Sequence, residues 1–246
     1  LHANSVNLAA ELFANVKVAG GWVNTTTYSR PIYFVSPSNH KVPIILIKNG
    51  VALTGRISEE FKAGIRIPQN LIISQGSDGH CCIVDFELDI EYDLWKLNFN
   101  ATTTQWEASN GGIIWDVSKS DGTQQRFSVW NSATATHLPL AGGTIMLNEL
   151  LSGVIPHCLA IAILMPKKYP AVVAPAKTTD GWYDSPGAIP EGTIFKFPQD
   201  IIIQDTWAPI TKMLVTAIRD YGMVVMDKTG AGVSFYVEDP RQYGLD

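Results

Sequence analysis

The sequence predicts an all-β fold, a β-sandwich or jelly roll with one or two peripheral α-helices. Three observations carry the prediction. Apolar runs of roughly five or six residues recur at spacings of about ten, as expected of a sandwich. Gly, Pro, Ser and Asn cluster between the runs and supply turns. Helical periodicity, by contrast, is confined to a few stretches. At 246 residues the chain exceeds the usual domain size, but sandwiches of this length form single domains. The expectation is therefore one domain, 1–246, with a short helical segment at 1–21.

The elements follow in order. Leu8, Leu12 and Val16 repeat with helical period and Gly20-Gly21 closes the run, so a helix is expected there. Residues 31–35 and 42–47 read as two strands joined by the turn Ser36-Pro37-Ser38-Asn39. Residues 55–70 are polar and interrupted by Gly and Pro, which reads as a surface crossing, with Ile65 and Ile67 edging a sheet. Residues 76–97, GSDGHCCIVDFELDIEYDLWKL, read as a central hairpin with an acidic turn. A strand follows at 112–117, then a long irregular loop at 118–143, of the kind that often serves as a lid or binding loop. A short helix is expected at 146–151, closed by Gly153. Strands are expected at 157–164, 170–175 and 193–197, and an aromatic loop at 177–192. Ile210, Met213, Leu214, Ala217 and Ile218 form one apolar face of a helix near 208–221 that Gly222 stops. A closing hairpin of 223–227 and 233–237 ends the pattern.

Composition excludes several functions. A net charge of -5 and a pI near 5.5 leave no basic stripe for nucleic acid. No apolar run approaches the roughly 18 residues of a membrane span; residues 155–165 make the longest. No charged segment precedes an apolar one at Leu1, so any secretory signal is expected to have been removed or never to have existed. Asn24-Thr25-Thr26 and Asn100-Ala101-Thr102 are sequons that would accept glycan in a eukaryotic secretory pathway. There is no nucleophile elbow, P-loop, zinc-protease helix or dinucleotide fingerprint, and neither cofactor nor metal is expected. Cys81, Cys82 and Cys158 fit no zinc spacing. They are either three buried thiols or a Cys81–Cys158 bridge with one thiol left over.

Three constellations could carry chemistry. His80 and His157 each stand at the mouth of an apolar strand, in the doublets His80-Cys81 and His157-Cys158. With Asp85, Asp116 or Asp227 they could work as general acid and base near neutral pH, or hold a metal; the plainer alternative is that they cap strand ends. Glu87, Asp89 and Glu91 resemble the E-x-D-x-E signature of laminarinase-like and lichenase-like glycoside hydrolases, which need paired carboxyls. They fall, however, where the hairpin should turn, and a solvated acidic turn is the alternative. Trp and Tyr side chains stack on sugar rings; Trp95, Trp130, Trp182 and Tyr183 are the binding candidates, while Trp115 inside a strand reads as core.

The succession PIYFVSPSNHKVPI, GIRIPQN, DGHCCIVD with YDLWKL, GGIIWDV, ATATHLPLAGG with LNELLSGVIPHCLAIAI, VAPAKTTDG, IPEGTIFKF and RDYGMVVMDKTGAGVSFYVEDP resembles a family of secreted bacterial proteins common in actinobacteria. The resemblance spans residues 30–240. It implies recurring positions at His80, Asp85, Trp115 or its neighbour, Asp116, Leu138-Pro139, His157, Pro175-Ala176, Tyr221-Gly222-Met223 and Asp227. Glu87–Glu91, His137 and the two cysteines after His80 depart from it. The family is similar in layout to jelly-roll polysaccharide-active proteins, which implies an extracellular site more than a particular reaction.

Together these readings predict a secreted carbohydrate-active protein, a glycoside hydrolase acting on a polysaccharide. Asp116 and Asp227, helped by Asp85, would be its carboxylates, and His80 and His157 would tune the acid and base. The alternatives are a non-catalytic glycan-binding or structural envelope protein, and a polysaccharide lyase. The acidic balance suits the lyase poorly, since a uronate polymer prefers a basic groove.

Overall fold

A computed structural model describes residues 3–119 and 132–245. The fold is mostly strands in several sheets, with few helices. The chain forms two compact units, Leu1–Asn24 with Gly142–Val237 and Thr25–Ala141 with Glu238–Asp246, each around its own apolar core. The expectation of one domain thus meets a chain that passes between two cores three times.

The first unit opens with helix α1 (Ser5–Ala19), which Gly20 stops at a positive φ of 80°. Leu8 and Leu12 pack on the unit's core, and the buried Asn15 accepts the Met165 N–H at 3.0 Å. Strand β1 (Gly21–Asn24) leads into the second unit.

In the second unit β2 (Ile32–Val35) is followed by β3 (Lys41–Val42), β4 (Ile44–Lys48) and β5 (Val51–Ala52). The two expected strands form but do not pair with each other: β2 joins one sheet and β4 another. Residues 55–70 correct the reading of a surface crossing. They contain helix α2 (Arg56–Ala63), bracketed by Gly55 and Gly64 at positive φ, and β6 (Ile65–Arg66). Ile57 and Phe61, one turn apart, are its buried stripe. β7 (Cys81–Asp85) and β8 (Ile90–Trp95) make the expected central hairpin, with register from Cys81↔Leu94 to Asp85↔Ile90. β9 (Asn98–Asn100), β10 (Gln105–Ala108) and β11 (Asn110–Trp115) complete the unit. The sheets run β11-β8-β7-β2, β5-β4-β10-β9 and β3-β6. Alternation along β7 and β8 sends Cys81, Ile83, Tyr92 and Leu94 into the core and Cys82, Glu91 and Asp93 to the opposite, also buried, face.

Back in the first unit come α3 (Leu147–Ser152), β12 (Leu159–Ile163), β13 (Ile194–Phe195), α4 (Pro209–Asp220), β14 (Met223–Lys228) and β15 (Val233–Tyr236). No strand forms at 170–175, where only the bridge Val172↔Glu191 appears. The sheet order β1-β15-β12-β14-β13 corrects the closing hairpin: β14 and β15 flank β12 instead of pairing. The reason lies in β12, whose five residues LAIAI are all buried. Such a strand belongs in the middle of a sheet, with a neighbour on each edge. The β12–β14 pairing slips between Ile161/Ala162 and Val225/Asp227, leaving Met226 unopposed.

Candidate functional site

The bulge at Met226 bears directly on the site. Strict alternation would put Asp227 on the same face as Met223 and Val225, which belong to the apolar core. An extra residue bends the strand and re-aims the side chain that follows. Asp227 instead meets Asp180 and Glu191, and one carboxylate oxygen from each lies within 4.8 Å of the others.

The neighbouring backbone is drawn in by glycines. Gly192 N donates to Val225 O at 2.7 Å and Val225 N to Thr193 O at 3.0 Å, which lays Glu191 alongside β14. Gly192 has φ +88°, and a Cβ there would sit 1.7 Å from Val173 O. A Cβ on Gly181 would sit 2.1 Å from Lys167 O. Each of these two acids is therefore followed by the one residue that permits so close an approach.

The three carboxylates differ sharply in environment. Asp180 is exposed and paired with Lys228, Nζ to Oδ2 at 2.9 Å. Asp227 is half-buried, and one of its oxygens accepts the Lys228 N–H at 2.8 Å. Glu191 is 0% exposed, and neither of its oxygens has a hydrogen-bond partner among the described residues. Burial, reinforced by the charges of Asp180 and Asp227, pushes its carboxyl up to about 9. Two residues beyond Asp180, Trp182 keeps 54% of its surface exposed while its Nε1 donates to Leu164 O at 3.1 Å. Tyr183 meets it edge to face at 5.7 Å.

The structure distributes the other expected residues elsewhere. His80 is not open to solvent: it is buried in the second unit, with Nε2 3.0 Å from Ala133 O. Asp85 is also walled in and carries a bidentate bond from Arg66 Nη1 at 3.0 and 2.9 Å. Asp116, at φ 54°, follows β11 half-buried, and its carbonyl accepts the Lys119 N–H. Trp95 is half-buried with the Lys96 ammonium 4.4 Å from its ring centre. In the first unit His157 is clamped on both ring nitrogens, Nδ1 donating to Cys158 O at 2.9 Å and Nε2 lying 3.0 Å from Glu149. Trp130 lies outside the described residues. Of the five expected catalytic residues, only Asp227 belongs to the carboxylate trio. Asp180 and Glu191 were missed, although both stand in segments quoted above, TTDG and IPEG.

No family model, curated protein or solved structure matches the chain. The site is therefore read from its own geometry.

The acidic hairpin turn dissolves into three separate jobs. Glu87 pairs with Arg66 at 2.7 Å. Asp89 accepts the Ser118 N–H and hydroxyl at 2.8 and 2.7 Å. Glu91 is buried with Asp93 and Cys82 in a second acidic cluster, where burial raises both carboxyls above the ordinary range. Backbone N–H groups of Leu140 and Ala141 reach Asp93 and Glu91, each at 3.0 Å, so this pair anchors that segment. All three cysteines are free thiols, which corrects the Cys81–Cys158 bridge.

Proposed function

We propose that the chain is a secreted glycan-binding protein whose binding corner is formed by Asp180, Trp182 and Tyr183 beside the Glu191 and Asp227 carboxylates. One observation carries the reading: an indole held in place by its own N–H yet more than half exposed, on the same short loop as a solvent-facing carboxylate. The exposed indole surface can stack on the apolar side of a sugar ring, and the carboxylates accept from its hydroxyls. The β-rich fold is compatible with this role, since lectin domains are built from such sheets in jelly-roll form, and the resemblance to secreted bacterial proteins supports an extracellular setting.

Binding fits better than hydrolysis because a glycosidase acid must touch the leaving oxygen. Glu191, the carboxyl held highest, has no exposed surface, and His80 is equally enclosed. Hydrolysis by Asp180 and Asp227 is the second reading, favoured by oxygens within 4.8 Å, near the roughly 5–5.5 Å carboxyl spacing of retaining enzymes.

The test is retention on immobilised neutral polysaccharides (β-glucan, xylan, mannan and chitin), with reducing-end release measured in parallel. Wild type should be retained without release, and Trp182→Ala should weaken retention about tenfold, the loss of a stacking contact worth roughly 1–1.5 kcal/mol. Release that Asp227→Ala abolishes assigns the hydrolase instead. Absence of retention on every polymer, or full retention by Trp182→Ala, refutes this binding corner.

A further inference from the structure

We infer that Asp180, Glu191 and Asp227 together bind a divalent cation of the calcium type. The first argument is geometric. Two ligand atoms each about 2.4 Å from one ion can be at most about 4.8 Å apart. The three carboxylate oxygens satisfy that bound in every pair.

The second argument is independent of the clustering. Buried carboxylates are normally hydrogen-bonded, but among the described residues neither buried oxygen of Glu191 has a hydrogen-bond partner, and one of them belongs to the trio. A group in that state needs a counter-charge at the point it faces.

The third argument is charge. A cation binds the ionised form of its ligands, and three ionised carboxylates against the Lys228 ammonium leave two negative charges, which a divalent ion neutralises. The donor set is oxygen only, without a His or Cys in the group, which disfavours zinc and copper and suits a hard cation. Calcium tolerates an irregular mixture of carboxylates and water, whereas magnesium demands a near-ideal octahedron. The other acidic cluster lacks this character: each of its carboxyls already receives a backbone N–H.

The ion would neutralise the floor beside Trp182 and offer open coordination positions to vicinal sugar hydroxyls. That role rests on the glycan-binding reading; the existence of the site does not. In the ion-free state Lys228 holds Asp180, so the ammonium and the cation compete for one carboxylate.

The experiment uses the full chain stripped with EDTA, with calcium alone titrated by calorimetry. In parallel, terbium is titrated as a luminescent substitute excited through Trp182. One calcium per chain is expected, with a Kd of about 0.1–1 mM, the range of extracellular modules. Glu191→Gln and Asp227→Asn should each weaken it about tenfold by removing a ligand charge. Lys228→Met should tighten it about threefold by removing the competitor, an effect that a merely structural ion pair would not produce. Circular dichroism confirms folding; should Glu191→Gln fail to fold, Asp227→Asn and Lys228→Met decide. No saturable calcium binding below about 10 mM, or unchanged binding in the folded variants, overturns the site. Polysaccharide retention with and without EDTA separates the two proposals. Calcium bound without any retention sinks the glycan reading alone, whereas retention indifferent to EDTA with no calcium bound sinks the cation site alone.

Discussion

Replacing His80 with Gln should abolish a pH-dependent part of the chain's stability. His80 is 3% exposed. Its Nε2 faces the Ala133 carbonyl at 3.0 Å, which fixes the proton on that nitrogen, and its buried Nδ1 has no hydrogen-bond partner among the described residues. An imidazolium would place a second N–H where none of those residues accepts it. Burial accordingly lowers the ring from its ordinary 6.5 to about 4; the nearby Asp78 works against this and Arg30 with it. Above pH 6.5 the ring is neutral in both folded and unfolded chains and contributes no pH dependence. Between 6.5 and about 4 only the unfolded chain takes up the proton, so stability falls as pH falls. At about 1.4 kcal/mol for each pH unit, the full gap is worth about 3 kcal/mol. Gln retains an N–H for the Ala133 carbonyl, so the baseline cost near neutral pH should stay within about 1–2 kcal/mol. Urea unfolding of both proteins from about pH 7.5 to about pH 4 reads the effect as a difference, in which the contributions of shared buried carboxyls cancel. The Gln variant should gain on wild type by about 3 kcal/mol across that window. A difference that stays flat with pH would refute the picture of a neutral, enclosed imidazole.

Four further outcomes follow from packing. Phe61, 0% exposed and edge-on to Tyr92 at 5.8 Å, should cost about 3–5 kcal/mol when cut to Ala, read by urea unfolding; a loss below about 1 kcal/mol would mean α2 is not built into that core. Gly192→Ala forces a Cβ against Val173 O at an unfavourable φ and should destroy both the melting transition and calcium binding. Gly230→Ala, with open space around it, should change stability by less than about 0.5 kcal/mol. Thiol titration should find Cys81 and Cys82 unreactive in the native chain, the half-buried Cys158 slow, and all three reactive in urea; a mass gain on reduction would reveal a bridge.

Much of this architecture could be read from residue patterns because local physics and final structure agree. β7 and β8 alternate correctly on either side of an acidic turn, and α1, α3 and α4 all end close to their predicted glycine stops. Helix α2 was hidden because eight residues between two glycines carry only the Ile57–Phe61 pair as a helical signal. The pairing partners of β14 and β15 were hidden for another reason. Two adjacent strands invite a hairpin, and only the wholly apolar β12, some 60 residues upstream by chain order, explains why they flank it instead. Within the site, Asp227 stood out as a carboxylate partner for the histidines and through the family resemblance, while Asp180 and Glu191 were not singled out. Their shared mark was an acid followed by glycine, and its meaning depends on which backbone lies opposite, Lys167 or Val173.

Among the described residues two groups of acids cluster, one wholly buried and one around the buried Glu191, and comparing them shows why one is structural and the other a candidate site. In the second unit Glu91 receives the Ala141 N–H and the Cys82 thiol, while Asp93 receives the Leu140 N–H. Those bonds tie a passing loop to the sheet and leave one oxygen, Asp93 Oδ1, without a hydrogen-bond partner among the described residues. In the first unit Glu191 accepts no hydrogen bond from the described residues, although the fold goes to some length to bring it there, with a bulge at Met226 and glycines at 181 and 192. A protein core could satisfy a lone carboxyl with one backbone amide at little cost. That none is offered, while two more carboxylates converge on the same point beside an exposed indole, is what one expects when the missing partner comes from solution.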